Sequence, residues 1–190
     1  MFDQTNAEFW RYGYDCFNRL VMVERNQQVL VRYLYDPTGL RVGKLDGAGN
    51  VLSLYGYDQV GTLIYHEDIG ANKQYSYVYA FGRLLARVDG VPGGAGEKNY
   101  YHTDHLGSPK LVTNLSGQVV WKGDYSPYGE KFIDPSEAWL FEDVIGFTGK
   151  DWDGDVGLYY FNARWYDTEL GRFMSEDQAK DGPNWYIYCL

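Results

Sequence analysis

Tyr12-Gly13-Tyr14-Asp15, Tyr33-Leu34-Tyr35-Asp36 and Tyr55-Gly56-Tyr57-Asp58 are three copies of one phrase, and a degenerate fourth, Tyr75-Ser76-Tyr77-Val78-Tyr79, follows. The aspartates lie 21 and 22 residues apart, and Tyr57 to Tyr79 is again 22. A fixed period of this length marks a repeat architecture. Alternation along a strand puts both tyrosines of a phrase on one face. The aspartate then opens a turn, where its carboxylate bonds the backbone ahead of it. Asp36-Pro37-Thr38-Gly39 has the preferred occupancy of a type I turn, and Ser126-Pro127-Tyr128-Gly129 repeats it with serine first.

Outward from these phrases, the return strands are expected at Leu40 to Lys44, Val51 to Tyr57 and Leu63 to His66, with turns at Asp46–Asn50 and Leu115–Gln118. Residues 1–90 therefore read as a meander of hairpins. Residues 91–97, Val-Pro-Gly-Gly-Ala-Gly-Glu, are a flexible glycine-rich loop between two sections of sheet. They make no phosphate cradle, because no helix pattern follows. Residues 98–190 form a third section, packed as one unit with the repeats. In it, Asn99 to Val112, Gln118 to Tyr125 and Gly157 to Tyr166 read as strands, Pro135 to Asp143 as one short helix, and the tail from Ser175 as turns. The predicted class is mainly all-β and antiparallel.

Composition agrees. Aromatics are 18% of the 190 residues, with 19 tyrosines, and there are 23 glycines. That mixture favours many short strands joined by tight turns. Tyrosine suits a half-wet sheet, because its ring packs while its hydroxyl reaches a partner.

The net charge of −9, with no basic run, gives no footprint for nucleic acid. No apolar stretch approaches the length of a membrane span, and the first thirty residues lack a secretory pattern. Localisation stays open. Cys16 and Cys189, at opposite ends, are expected to be free, packed thiols.

Chemistry-bearing motifs are sparse. His102-Thr103-Asp104-His105 offers two imidazoles and a carboxylate, but zinc sites want three or four ligands and His66 lies far upstream. A strand end running into a turn is the plainer reading. Asp151, Asp153 and Asp155 alternate, yet the helical calcium loop would need Gly and Glu where Val156 and Asn162 stand. An acidic turn is expected. Ser108 lies in Leu-Gly-Ser-Pro, which is no nucleophile elbow. No metal or cofactor is implied, and spacing alone indicates no enzyme.

The second half carries longer phrases: Tyr100-Tyr101-His102-Thr103-Asp104-His105-Leu106-Gly107-Ser108-Pro109, Asp124-Tyr125-Ser126-Pro127-Tyr128-Gly129-Glu130 and Phe147-Thr148-Gly149-Lys150. Gly157-Leu158-Tyr159-Tyr160-Phe161-Asn162-Ala163-Arg164-Trp165-Tyr166-Asp167 and Leu170-Gly171-Arg172-Phe173-Met174-Ser175-Glu176-Asp177 follow in order. Together with the tyrosine phrases they resemble the RHS/YD-repeat proteins and their RHS repeat-associated core, over essentially the whole chain.

The resemblance implies a spiral β-sheet that forms a hollow, teneurin-like shell, with the core curling in as a plug. In bacterial members such a shell encloses a C-terminal polymorphic toxin, and the core resembles an aspartyl autoprotease. Of the family's paired aspartates only Asp177 matches here, and Gln178 stands where the family writes proline. A lone carboxylate cannot share a proton as an aspartic dyad does. Arg164 and Arg172 are the groups available to orient Asp177, with stacking or structural pairing in an aromatic sheet the plainer reading of both.

The expectation is thus a structural shell segment, truncated and without its toxin, that self-associates or joins a longer shell through open sheet edges. Autoproteolysis in cis is the alternative. A carbohydrate- or partner-binding module, resting on the aromatic composition alone, is the third.

Overall fold

The computed structural model describes residues 8–133, 144–180 and 183–188. Eleven strands form one antiparallel sheet whose spatial order is the chain order. They are β1 (Trp10–Tyr14), β2 (Leu20–Arg25), β3 (Gln28–Tyr35), β4 (Arg41–Asp46), β5 (Val51–Tyr57), β6 (Leu63–Asp68), β7 (Lys73–Ala80), β8 (Arg83–Gly90), β9 (Glu97–Thr103), β10 (Pro109–Asn114) and β11 (Val119–Lys122). The hairpin β12 (Asp124–Tyr125) and β13 (Lys131–Phe132) follows. A single 3-10 turn at Phe147–Gly149 leads into a four-stranded antiparallel sheet of β14 (Asp151–Asp153), β15 (Leu158–Phe161), β16 (Arg164–Asp167) and β17 (Arg172–Phe173). The mainly all-β antiparallel reading is borne out. The helix expected at 135–143 lies outside the described residues.

The turns explain why the meander forms. After Asp36, the side-chain Oδ1 accepts the amides of Thr38 and Leu40 at 2.8 and 2.9 Å, while the Gly39 amide donates to the Asp36 carbonyl. Gly39 sits at φ +92°, the left-handed position that lets a type I turn close into a hairpin. The same pattern of bonds to the second and fourth residues ahead recurs at Asp15, Asp46, Asp58, Asp104 and Asn114. At Asp15, Asp36, Asp46 and Asp58 these bonds stabilise the charged carboxylate. At Asp36 the Thr38 hydroxyl, followed by the Leu40 and Thr38 amides, outweighs a burial effect of opposite sign and holds the group below the usual range. Between these turns lie tighter ones, Asn26-Gln27 and Phe81-Gly82, with both residues at positive φ as a two-residue hairpin loop requires.

Each phrase also carries a ladder irregularity at one place. The register shifts between Gly13 and Tyr14, Leu34 and Tyr35, Gly56 and Tyr57, and Val78 and Tyr79, always before the phrase's last tyrosine. A bulge bends its strand and increases the local twist.

One face of the large sheet carries the core. Leu20, Val23, Val31 and Tyr33 pack against Val156, Leu158, Tyr160 and Trp165 of the small sheet. Further along, Leu63, Tyr75, Tyr77, Leu84, Tyr101, Val112 and Trp121 cluster with Ile145. Phe147, Tyr159, Tyr166 and Phe173 make a third, aromatic cluster. The opposite face is wet: Leu34, Leu54, Ile64, Val78 and Leu85 each keep 40% or more of their surface exposed.

Three segment readings need correction. Asn99–Val112 is two strands, β9 and β10, because Asp104 folds the chain back through the same aspartate turn. Gly157–Tyr166 is a hairpin, because Asn162 adopts φ +59° between β15 and β16. The glycine-rich loop does not separate two sections of sheet, since β8 and β9 on either side of it pair from Ala86 to Asp89.

Candidate functional site

The described polar groups concentrate where the small sheet meets the large one. Arg41, at the start of β4, is 1% exposed. Its Nη2 donates to Asp151 Oδ2 at 2.9 Å, and Nη1 lies 3.9 Å from Asp153 Oδ2. Lys44 Nζ donates to Asp153 Oδ1 at 2.7 Å and to Asp155 Oδ2 at 2.6 Å. Tyr33 Oη donates to Asp153 Oδ2 at 2.8 Å, and the Arg41 amide donates to Tyr160 Oη at 2.8 Å. Burial alone would lower the Lys44 ammonium, but the attraction of Asp153 and its bonds to Asp153 and Asp155 outweigh it and raise the group. Burial pushes the Tyr33 phenol well up, with the Asp153 charge adding to it, so this tyrosine stays a donor.

Asp155 does lie exposed in a turn, as expected, but Asp151 and Asp153 are not part of a solvated acidic turn. Asp151 and Asp153 are 5% and 4% exposed, because alternation along β14 turns both toward the wall's two cations while Trp152 points away. Charges this deeply buried contribute little net stability as a pair, yet removing one partner leaves the other uncompensated. Their consequence is alignment. Arg41 and Lys44 meet Asp151, Asp153 and Asp155 in a single register of the four-stranded sheet on the eleven-stranded one.

A second arrangement runs across the wall itself. The Arg41 guanidinium lies 3.8 Å from the centre of the Tyr55 ring. Tyr55 stacks on His66 at 4.9 Å and 3°, and His66 on Tyr75 at 5.4 Å and 19°. Arg87, which chelates Asp89 through Nε and Nη2, lies 4.6 Å over the far side of that row, on Tyr75. The five planes come from five consecutive strands, β4 to β8, with Tyr55, His66 and Tyr75 as direct cross-strand partners. Sequence reasoning missed this row. Its trace was the half-period: strands recur about every eleven residues, so Tyr33 faces Lys44 and Tyr55 faces His66.

The remaining predicted residues fall elsewhere. Asp177 lines an open groove of about 720 Å³ between the first hairpin turn and the tail, with Tyr14, Cys16, Phe17, Glu176 and Tyr186 also on its walls. Asp177 Oδ2 pairs with Arg164 Nη2 at 3.1 Å, and its Oδ1 accepts the Ala179 amide at 2.9 Å. Arg164 also donates to the Trp185 carbonyl, so it ties the tail down. Arg172 instead stands 5.8 Å over the Tyr186 ring. Tyr14 Oη donates to the Met174 carbonyl and Gln178 Nε2 to the Phe17 carbonyl, which stitches the tail to the chain's first hairpin.

Cys16 is a free thiol but exposed, not packed, because it occupies the tip of the Asp15 turn. Cys189 lies outside the described residues. His102 Nε2 lies 3.2 Å from Thr113 Oγ1 on a neighbouring strand, and Asp104 caps its turn, in line with the plain reading of that motif. Among the described residues no three His, Cys, Asp or Glu side chains gather as a metal site. Ser108, 0% exposed, accepts the Thr148 amide on Oγ at 3.0 Å and so joins the β9–β10 turn to the 3-10 turn.

Comparisons with known proteins agree with this architecture. The chain is 28% identical, over an alignment spanning 206 positions, to Double-stranded DNA deaminase toxin A of Burkholderia cenocepacia, covering 94% of this chain and 14% of that protein. It is 25% identical over 173 residues to Probable deoxyribonuclease RhsA of Dickeya dadantii, covering 90% and 12%. It is 33% identical over 110 residues to Putative uncharacterized protein YibJ of Escherichia coli, covering 57% and 47%. The chain therefore spans less than half the length of each of these relatives. Among solved structures, TcdB2-TccC3 superposes with a TM-score of 0.70 over 94% of this chain and 10% of that chain, at 24% identity, a likeness of fold. The Teneurin YD-shell family profile matches residues 5–182. The match takes in both the tyrosine phrases and the core phrases, and the chain belongs to the teneurin YD-shell family, which those phrases resemble.

Proposed function

We propose that this chain is a wall-and-plug segment of a hollow β-shell that encloses a polypeptide toxin. The observation that carries the proposal is the clasp of Arg41 and Lys44 on Asp151, Asp153 and Asp155, which fixes an inner sheet against one face of an open meander. A sheet clasped in this way is what a plugged shell end requires. The toxin names of relatives such as Double-stranded DNA deaminase toxin A and Toxin protein Tse5 support the nature of the cargo.

Strands β1 and β11 each have one neighbour among the described residues. Unpaired edges of this kind are completed by further strands, and here a longer shell or a second copy would supply them. The test is co-expression with the longer, toxin-bearing shell of a relative, followed by co-purification and limited proteolysis. Association with protection of the toxin segment is expected. A chain that stays monomeric at high concentration, binds no shell and protects nothing would overturn the reading.

A second reading, an aspartyl autoprotease acting once in cis, draws on the position of Asp177 in an open groove beside the tail. Its carboxylate is engaged by Arg164 and Ala179, so catalysis would require it to exchange these bonds for a substrate and a second aspartate. Appending a tail with that second aspartate and a reporter tests it. Fragments that vanish in Asp177→Asn are expected, and an intact band from the unsubstituted chain would dispose of it.

A further inference from the structure

His66 has a chemistry that shell-building does not explain. It is 4% exposed, and neither ring nitrogen has a hydrogen-bond partner. A buried imidazole usually orients itself through at least one such bond, and leaving both unmade costs free energy. An aliphatic or phenyl group would fill the position without that cost. What the imidazole adds is the capacity to take a proton.

The surroundings determine what that proton does. The faces of His66 are covered by Tyr55 and Tyr75. A ring face attracts a cation, but the far side of each of these rings already carries one, Arg41 at 3.8 Å and Arg87 at 4.6 Å. Lys44 adds a third positive charge from β4. The carboxylates nearby are committed: Asp151 and Asp153 to Arg41, Asp153 and Asp155 to Lys44, Asp89 to Arg87. Asp68, two residues along β6, favours protonation, but its Oδ1 accepts the Ala71 amide. An imidazolium here would stand third in a row of cations, desolvated, with Asp68 the carboxylate that favours it and burial, Arg41, Arg87 and Lys44 opposing it.

We propose that His66 is an acid-sensitive keystone of the wall: its protonation opens the β5–β6–β7 section, so the shell loosens in mildly acidic surroundings. Opening relieves the charge because strands that part give the ring to water. The wall is thin at this point, since the outer faces of β5 and β6 present Leu54 and Ile64 to solvent with no layer over them among the described residues. The inference concerns the wall alone and holds whether or not a toxin lies behind it.

The sign and window follow from linkage. Burial, and then the Arg41 charge, lower His66 to about 4 from 6.5, so the opened state binds the proton more tightly. Stability from neutral His66 is complete above the free value and is lost as pH falls from about 6.5 towards 4. Opening becomes about 20-fold more favourable at pH 5 than at pH 7. The turn aspartates Asp36 and Asp58 are held below their ordinary value of 3.8, so their contributions are lost only at lower pH.

The experiment is amide hydrogen exchange on the full chain at pH 7 and pH 5, corrected for intrinsic rates, comparing wild type with His66→Phe. Phenylalanine keeps a flat ring between Tyr55 and Tyr75 and cannot titrate. Amides of β5–β7 are expected to open about 20-fold more at pH 5 in the wild type and to change little in the variant. Equal pH dependence in both proteins would overturn the proposal. A variant that fails to fold leaves a second readout on the wild type, the ring resonances of His66 through an acid titration. A ring that stays neutral at pH 5 while β5–β7 amides open supports the proposal. A ring that titrates near the free value while those amides stay protected overturns it.

Discussion

In the eleven-stranded wall, each aspartate turn is specified within five residues, by an aspartate or asparagine that bonds two amides ahead of it. In the four-stranded plug, the decisive partners lie more than a hundred residues away: Asp151 on Arg41, Asp153 on Tyr33 and Lys44, Tyr160 on the Arg41 amide. The wall can thus be lengthened by repetition, because each unit carries its own instructions. The plug cannot be moved, because its charges fit one place only. Local specification produces extent, and long-range specification produces an end.

The comparison can be broken from the plug side first. Arg41→Met should cost about 3–5 kcal/mol, because it takes the guanidinium away from the buried Asp151 and Asp153 carboxylates. Denaturant unfolding checks this, and a cost under about 1 kcal/mol would mean that the clasp does not hold the plug. Ser108→Ala removes the acceptor for the Thr148 amide and should cost about 1–3 kcal/mol.

On the wall side, Asp104→Ala removes bonds to the Leu106 and Ser108 amides and should cost about 1 kcal/mol, since solvent can replace part of what is lost. Asp58→Asn should be nearly neutral at pH 7, because Asn114 serves the same turn with an amide. Bonds from Thr62, Val60 and Gly61 hold Asp58 low, so its stabilisation is present above 3.8 and lost below. The variant should therefore show a shallower loss of stability in acid, read from unfolding midpoints between pH 4 and pH 2.5. Cys16→Ser should change stability by less than about 0.5 kcal/mol, as the thiol is exposed.

The same contrast explains what could be read in advance. The Tyr-x-Tyr-Asp period and the Asp36-Pro37-Thr38-Gly39 turn are local chemistry, so the meander was legible from spacing alone. The turn at Asp104 was legible in His102-Thr103-Asp104-His105 even though the span Asn99–Val112 was given as strand, whereas the bend inside Gly157–Tyr166 was not, because Asn162 stands there without a glycine. The clasp was not legible. Asp151, Asp153 and Asp155 look like a solvated acidic loop until a fold brings Arg41 and Lys44 to them. Likewise, only the eleven-residue half-period hints at the tyrosines that enclose His66.

The recurring bulge before the last tyrosine of each phrase has a further consequence. Because it returns once per phrase, each added unit contributes the same increment of bend, and curvature becomes a quantity that is counted. Duplication of a whole phrase enlarges such a wall without redesigning it. A one-residue insertion inside a phrase would instead put the residues after it in that strand on the wrong side. The unit of inheritance in this architecture is therefore the phase of the repeat, which tolerates change in copy number far better than change in length within a copy.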